Sequence, residues 1–267
     1  MLTTDTVKNT QEPVISIRQL CNRFGSHVVH EELNLDVNRG EILGVVGGSG
    51  SGKSVLLRSI VGLQRPASGT VELLGRQVNE QSQEFLKRRT GVLFQHGALF
   101  SSMTVRENIA MPLIEHMKLS REDAHQLADM KMALVGLPEH AGDLEPAELS
   151  GGMVKRAALA RAIALDPEVL FLDEPTAGLD PISAAAFDKL IVTLRNALNL
   201  TVFLVTHDLD TLHSACNRIA VLAERKVLIA DTLDKVANYP HPWVSSYFQG
   251  PRGRAALRGE RTAVEGT

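Results

Sequence analysis

The sequence predicts an α/β domain with a mainly parallel core sheet and a helical subdomain inserted in its middle third. Three observations carry this expectation. Runs at 169–173 and 202–206 are nearly continuous in apolar residues, the pattern of parallel strands covered on both faces by helices. A glycine-rich segment at 47–54 lies between a strand pattern and a helical one. The stretch from about 96 to 165 holds no convincing strand. With 267 residues, and a soft prior of about 150 per domain, one large domain or one with an insertion is expected. Hydrophobic residues at 44% and charged residues at 22% are globular values, which excludes disorder, collagen-like repeats and coiled coil.

In chain order, short β-branched or Leu-rich runs at 14–17, 33–37, 41–46, 71–74 and 91–94 read as strands. The middle third opens helices at two capping signals, Thr104 with Glu107 and Ser120 with Asp123. Its methionines Met111, Met117, Met130 and Met132 read as packing. After the strand at 169–173, residues Phe187, Leu190, Ile191, Leu194 and Leu198 fall on one helical face, which is core packing without chemistry. Near the C-terminus a helix is expected from about Pro242, where Trp243 and Tyr247, like Val244 and Phe248, are four apart. That helix either caps its own domain or anchors the chain to a neighbour, with Arg252, Arg254 and Arg258 following along it. One unit at 14–249 and a tail at 250–267 complete the division.

Twenty-eight basic against thirty-one acidic side chains leave a net charge of −3, so a nucleic-acid partner is not expected. No apolar stretch approaches the roughly 18 residues of a membrane span, and the polar start lacks the order of a secretory signal; a cytosolic location is the expectation. Cys21 and Cys216 stand far apart without metal-ligand spacing and read as reduced structural thiols.

The segment Gly47-Gly48-Ser49-Gly50-Ser51-Gly52-Lys53-Ser54 has the spacing and the strand-to-helix context of a P-loop. Its glycines allow successive N–H groups to converge on phosphate oxygens at a positive helix end. Lys53 would reach the β- and γ-phosphates of ATP, and the Ser54 hydroxyl suits Mg²⁺, a hard cation that needs only one or two protein oxygens. Asp173 and Glu174 supply what a P-loop lacks. Four preceding apolar residues force this acidic pair to the exit of a core strand. There Asp173 serves Mg²⁺, and Glu174 can polarise a water in line with the γ-phosphate. Leu149-Ser150-Gly151-Gly152-Met153 precedes a further helical run. Ser150 sits in an N-cap position, and Gly151 and Gly152 expose N–H groups at a helix terminus, so the segment either holds the phosphate of a different nucleotide or is simply a well-capped helix.

The P-loop, the segment at Ser150 and the Asp173-Glu174 pair, in this arrangement, resemble the motifs of ATP-binding cassette (ABC) ATPases over about residues 14–250. The resemblance implies the P-loop NTPase fold of that family, with an N-terminal antiparallel β part beside the parallel core. It implies a Q-loop role for Gln95, catalytic and toward the metal, a D-loop role for Ala177-Gly178-Leu179-Asp180, a switch-histidine role for His207, and an adenine-stacking place for Phe24. It also implies a head-to-tail dimer in which a second copy's signature segment closes each ATP, and a separate integral-membrane permease. Met153, where the family commonly has Gln, and Phe94-Gln95-His96-Gly97-Ala98-Leu99-Phe100 are similar to the branch serving MCE-protein lipid transporters, the Mla-type phospholipid-trafficking systems. That branch implies a periplasmic MCE protein, in many systems a small STAS-domain protein, and a peripheral place on the cytoplasmic face of a bacterial inner membrane. An ABC ATPase for another solute would use the same residues. A soluble ABC protein of DNA repair or translation would be expected to show two cassettes, a zinc insertion, coiled-coil arms or a basic surface, which this sequence lacks.

Overall fold

Where the strands run, the backbone follows the apolar pattern, and where the pattern is broken the chain bulges. The computed structural model describes residues 13–95 and 97–250. The chain opens with β1 (Ile15–Phe24) and β2 (His27–Val37), an antiparallel hairpin with Ile15 opposite Val37. Both strands are longer than the apolar runs at 14–17 and 33–37, because register shifts interrupt their alternation, with Gln19 and Glu32 at positive φ. β3 (Ile42–Val46), buried at every position, leads through the glycine-rich loop into α1 (Lys53–Ile60). β4 (Ser68–Leu73) and β5 (Arg76–Gln77) return to the hairpin and complete an antiparallel sheet of order β2-β1-β4-β5.

After α2 (Gln83–Arg89) and β6 (Thr90–Leu93) come α3 (Val105–Met117), α4 (Arg121–Leu134) and α5 (Gly151–Ala162), with no strand among the described residues between β6 and β7 (Val169–Asp173). Thr104 caps α3 through a reciprocal capping box with Glu107, and the Ser120 hydroxyl accepts from the Asp123 N–H at the start of α4. Ile109, Leu113, Ala128, Met132, Ala157 and Leu159 pack these helices together. Met117 and Met130 are exposed instead, at 52% and 62%.

α6 (Pro181–Leu198) buries Phe187, Ile191 and Leu194, with Leu190 and Leu198 at the margin of the same core. Then follow β8 (Thr201–Val205), α7 (Leu209–Ala215), the hairpin β9 (Arg218–Ala223) and β10 (Lys226–Asp231), α8 (Leu233–Ala237) and α9 (Pro242–Phe248). The second sheet has the order β10-β9-β3-β8-β7-β6, parallel except for the edge strand β10. Phe171 of β7 and Phe203 of β8 are fully buried with ring centroids 5.8 Å apart. Truncating either to Ala would cost about 3–5 kcal/mol.

This strand order places the site. β3, β8 and β7 are adjacent, and Val45, Val205 and Asp173 stand level in register at their C-terminal ends. The segments leaving those ends, Gly47 onward, Thr206-His207 and Glu174, therefore share one crevice, where open α/β sheets bind their ligands. Val244 and Phe248 of α9 are buried against Val46, Leu212 and Val221, so the C-terminal helix caps its own domain. Arg252, Arg254, Arg258 and the tail from 251 lie outside the described residues. Both cysteines are free thiols.

Candidate active site

The loop between β3 and α1 is shaped by close backbone approach. A Cβ on Gly47 would lie 2.3 Å from the Leu222 carbonyl of β9, and Gly52 caps α1 at φ 95° with His30 and Val29 directly beneath it. Neither position accepts a side chain without moving the loop. His30, fully buried, is tied through Nδ1 to Asn22 Oδ1 at 3.2 Å, and Asn22 donates to Ser59 of α1. Burial lowers its pKa to about 4, so this floor is neutral. Gly48, Ser49, Gly50 and Ser51 form the turn above it. The Lys53 ammonium arches over the loop and donates to the carbonyls of Gly47 at 2.8 Å and Gly48 at 3.1 Å. Desolvation lowers its pKa, against the pull of Glu174 and Asp173.

Ser54 and Asp173 meet as the spacing predicts, the hydroxyl donating to Asp173 Oδ1 at 3.4 Å. Asp173 is only 7% exposed, and burial raises its pKa although Ser54, Arg58 and Lys53 oppose the shift. Hard oxygen donors, one a buried carboxylate, fit Mg²⁺. Glu174 follows at φ 49°, a left-handed conformation that costs a non-glycine residue on the order of 1–3 kcal/mol. Its N–H donates to the Val205 carbonyl at 2.9 Å, and its Oε2 lies 2.7 Å from His207 Nδ1. The sheet thus brings Lys53, Ser54, Asp173, Glu174 and His207 into one place.

Other candidates lie elsewhere. Gln95 is exposed at the exit of β6, and among the described residues no hydrogen bond joins its side chain to Ser54 or Asp173. Asp180 caps α6, accepting from the N–H groups of Ile182 at 3.1 Å and Ser183 at 3.0 Å, and the Ser183 side chain together with these bonds holds its pKa down. Phe24 is 47% exposed at the end of β1, which removes the reading of it as core. Ser150 caps α5 through the Met153 N–H at 3.3 Å, and a Cβ on Gly151 or Gly152 would meet open space. Among the described residues no hydrogen bond joins these three to the loop at 47–54, so the terminus of α5 is presented outward. Met153 packs against the helical core.

Lys155 is not among the candidate site residues read from the sequence, where it only belongs to the run that continues the segment at Ser150. In the fold it is 6% exposed, and its ammonium donates to the carbonyls of Gln95 at 2.5 Å and Glu174 at 3.3 Å. One side chain thereby ties α5 to both the β6 exit and the acidic pair. The loop at 97–100 divides. Leu99 packs on the helical core, whereas Phe100 is 45% exposed with the Arg161 guanidinium 5.9 Å over its ring.

A family model described as ABC transporter matches residues 30–177. The chain is 38% identical over 240 residues to the intermembrane phospholipid transport system ATP-binding protein MlaF of Haemophilus influenzae, covering 89% of this chain and 90% of that one. It is 36% identical over 260 residues to the probable ribonucleotide transport ATP-binding protein mkl of Mycobacterium leprae, covering 94% and 74%. Among solved structures, the ATP-binding cassette MJ0796, dimeric and bound to ADP and Pi in a post-hydrolysis state, superposes with a TM-score of 0.76 at 28% identity, over 82% of this chain and 98% of that one. With a phosphate loop, an acidic pair and a histidine converging at the ends of three adjacent parallel strands, the chain belongs to the ABC transporter family and is an ATP-hydrolysing subunit of it.

Proposed function

We propose that this subunit powers phospholipid trafficking between the inner and outer membranes of a bacterial envelope, working with a separate permease, a periplasmic MCE protein and a small STAS-domain protein. The observation that carries the reading is the 38% identity to MlaF over 89% of the chain, alongside Met153 and the 97–100 loop. The identity to mkl over 94% of the chain supports the rival reading, an ATPase for another solute. No helix among the described residues is long and apolar enough to cross a membrane, and the proposed place is peripheral, on the cytoplasmic face of the inner membrane. Residues 14–249 form the ATPase unit, 96–165 the helical subdomain within it, and 250–267 a tail.

In this reading Gly47 to Ser51 offer backbone N–H groups to the phosphates, Lys53 turns from the loop carbonyls to the β- and γ-oxygens, and Phe24 stacks on adenine. Ser54 and Asp173, with Gln95 brought in from the loop, would hold Mg²⁺, which neutralises charge on the phosphates when bound. Glu174, oriented by His207, accepts a proton from the water that attacks the γ-phosphorus. Ser150, Gly151 and Gly152 of a second copy close the nucleotide from the opposite side, and Asp180 stands at that same junction. The outward-facing cap of α5 supports the sandwich, since it has no partner role within its own loop site. Phe100, whose ring faces Arg161 of a groove also lined by Leu63, Leu86, Phe94 and Pro112, forms the surface that meets the permease.

Purifying the tagged chain from membranes with its permease, and analysing the lipid bound to the complex, tests this. Phospholipid and an MCE protein in the complex are expected; a soluble solute-binding protein without lipid would transfer the assignment to the rival reading.

A further inference from the structure

The C-terminal helix is anchored by Val244 and Phe248, 0% and 1% exposed, with Trp243 and Tyr247 half-buried at the margin of the same core, and the polar atoms of that second pair do something capping does not require. Trp243 and Tyr247 stack with centroids 4.8 Å apart and planes at 15°. The Trp243 indole nitrogen lies 3.4 Å from where a Cβ of Gly48 would stand. The Tyr247 hydroxyl donates to the main-chain carbonyl of His207 at 2.8 Å, and the imidazole of that residue reaches Glu174 at 2.7 Å.

The helix is itself fixed from its other end. His241 accepts the Trp243 N–H at 3.2 Å through Nδ1, which leaves Nε2–H to donate to Glu224 in the β9–β10 turn, also at 3.2 Å. Tyr247 is a constant donor: burial, with Glu174 and Asp208 nearby, pushes its pKa further above the ordinary tyrosine value. A phenylalanine at 247 would stack on Trp243 equally well, so the hydroxyl is surplus to packing, and among the described residues it donates to the His207 carbonyl.

We propose that Tyr247 is a positioning residue for ATP hydrolysis, holding the His207 backbone so that the imidazole meets Glu174, while Trp243 walls the phosphate loop at Gly48. The C-terminal helix is then part of the hydrolytic machinery. This rests on the reading of Glu174 and His207 as the hydrolytic pair.

The test uses the full-length chain and Tyr247→Phe. Steady-state hydrolysis should fall roughly five- to tenfold in kcat, the range of one lost hydrogen bond, with KM and Mg-ATP affinity by equilibrium dialysis unchanged and Tm lower by only a few degrees. In a Glu174→Gln background the same substitution should produce no further loss, because the pair it aligns is already broken. Trp243 is the only tryptophan, so its emission should change and saturate as Mg-ATP is added. Wild-type kcat in Tyr247→Phe overturns the proposal, as does a loss of Mg-ATP affinity together with a fall in Tm of about ten degrees or more, which marks a structural role. Emission that stays flat while dialysis shows saturation removes Trp243 from the loop. Wild-type hydrolysis in Glu174→Gln alone would instead overturn the underlying reading of the pair.

Discussion

Asp188 sits where α6 meets α7, between the Asp180 cap and the helix that follows His207, and its replacement by Asn should stabilise the protein in a pH-dependent way. The residue is 4% exposed. Thr211 and Ser214 donate to Oδ2 at 2.9 and 3.4 Å, while Oδ1 has no hydrogen-bond partner among the described residues. Burial, with Asp208 and Asp210 nearby, pushes its pKa from 3.8 up to about 6. Between those two values the folded protein holds a proton that the unfolded chain has lost, so stability is present below about pH 4 and drains away as pH rises toward 6. The full shift corresponds to about 3 kcal/mol at neutral pH, from which a weakened bond to Thr211 takes back about 1. For a chain of this size, 1 kcal/mol moves Tm by about 2–4 °C. Asp188→Asn should therefore raise Tm by about 4–8 °C at pH 7.5 and leave it equal or lower at pH 4, by calorimetry in matched ionic strength. An equal gain at both pH values, or none at pH 7.5, would refute the argument that a buried charge is being carried at this joint.

Lys53→Ala should reduce Mg-ATP hydrolysis at least about a hundredfold, since charge neutralisation on the phosphates is lost with it; a coupled-enzyme assay reads this directly. Lys155→Met removes the tie from α5 to Gln95 and Glu174. It should change Tm little, because the desolvation cost of the ammonium goes with its bonds, yet slow hydrolysis roughly tenfold or more. Phe100→Asp should preserve nucleotide binding and basal hydrolysis and uncouple them from transport in reconstituted vesicles, whereas Leu99→Asp, which buries charge in the helical core, should lower Tm.

The parallel core was legible because the physics there is local. Each of 169–173 and 202–206 is covered by helices on both sides, and the resulting apolar runs match β7 and β8 to within a residue. The same holds at the loop after β3 and at the caps of α3, α4 and α5, where a hydroxyl three residues before its N–H partner is a short-range signal. The β9–β10 hairpin was harder to read, since Glu224 and Arg225 both adopt positive φ without the glycine or asparagine that usually announces such a turn. β1 and β2 lost their alternation at bulges. In the site, Asp173, Glu174 and Lys53 follow from motif spacing, but Lys155, Asp188 and Tyr247 owe their surroundings to residues 19 to 60 positions away. No local pattern encodes such meetings. The two readings left open at the C-terminal helix were separated by Val244 and Phe248, whose burial depends on β9 and α8 being in place.

The proposed sandwich would set one copy's Ser150 to Gly152 over the other's phosphate loop, with Glu174 as the group that ends the ATP-bound state. Glu174→Gln keeps the shape of the side chain and removes its basicity, so ATP should bind while hydrolysis falls about a hundredfold or more. Light scattering on this variant, with Mg-ATP and then with permease added, measures the consequence. A stable species of twice the chain mass that returns to monomer on ATP removal is expected. A variant that binds Mg-ATP yet stays monomeric both alone and with its permease would contradict the shared site.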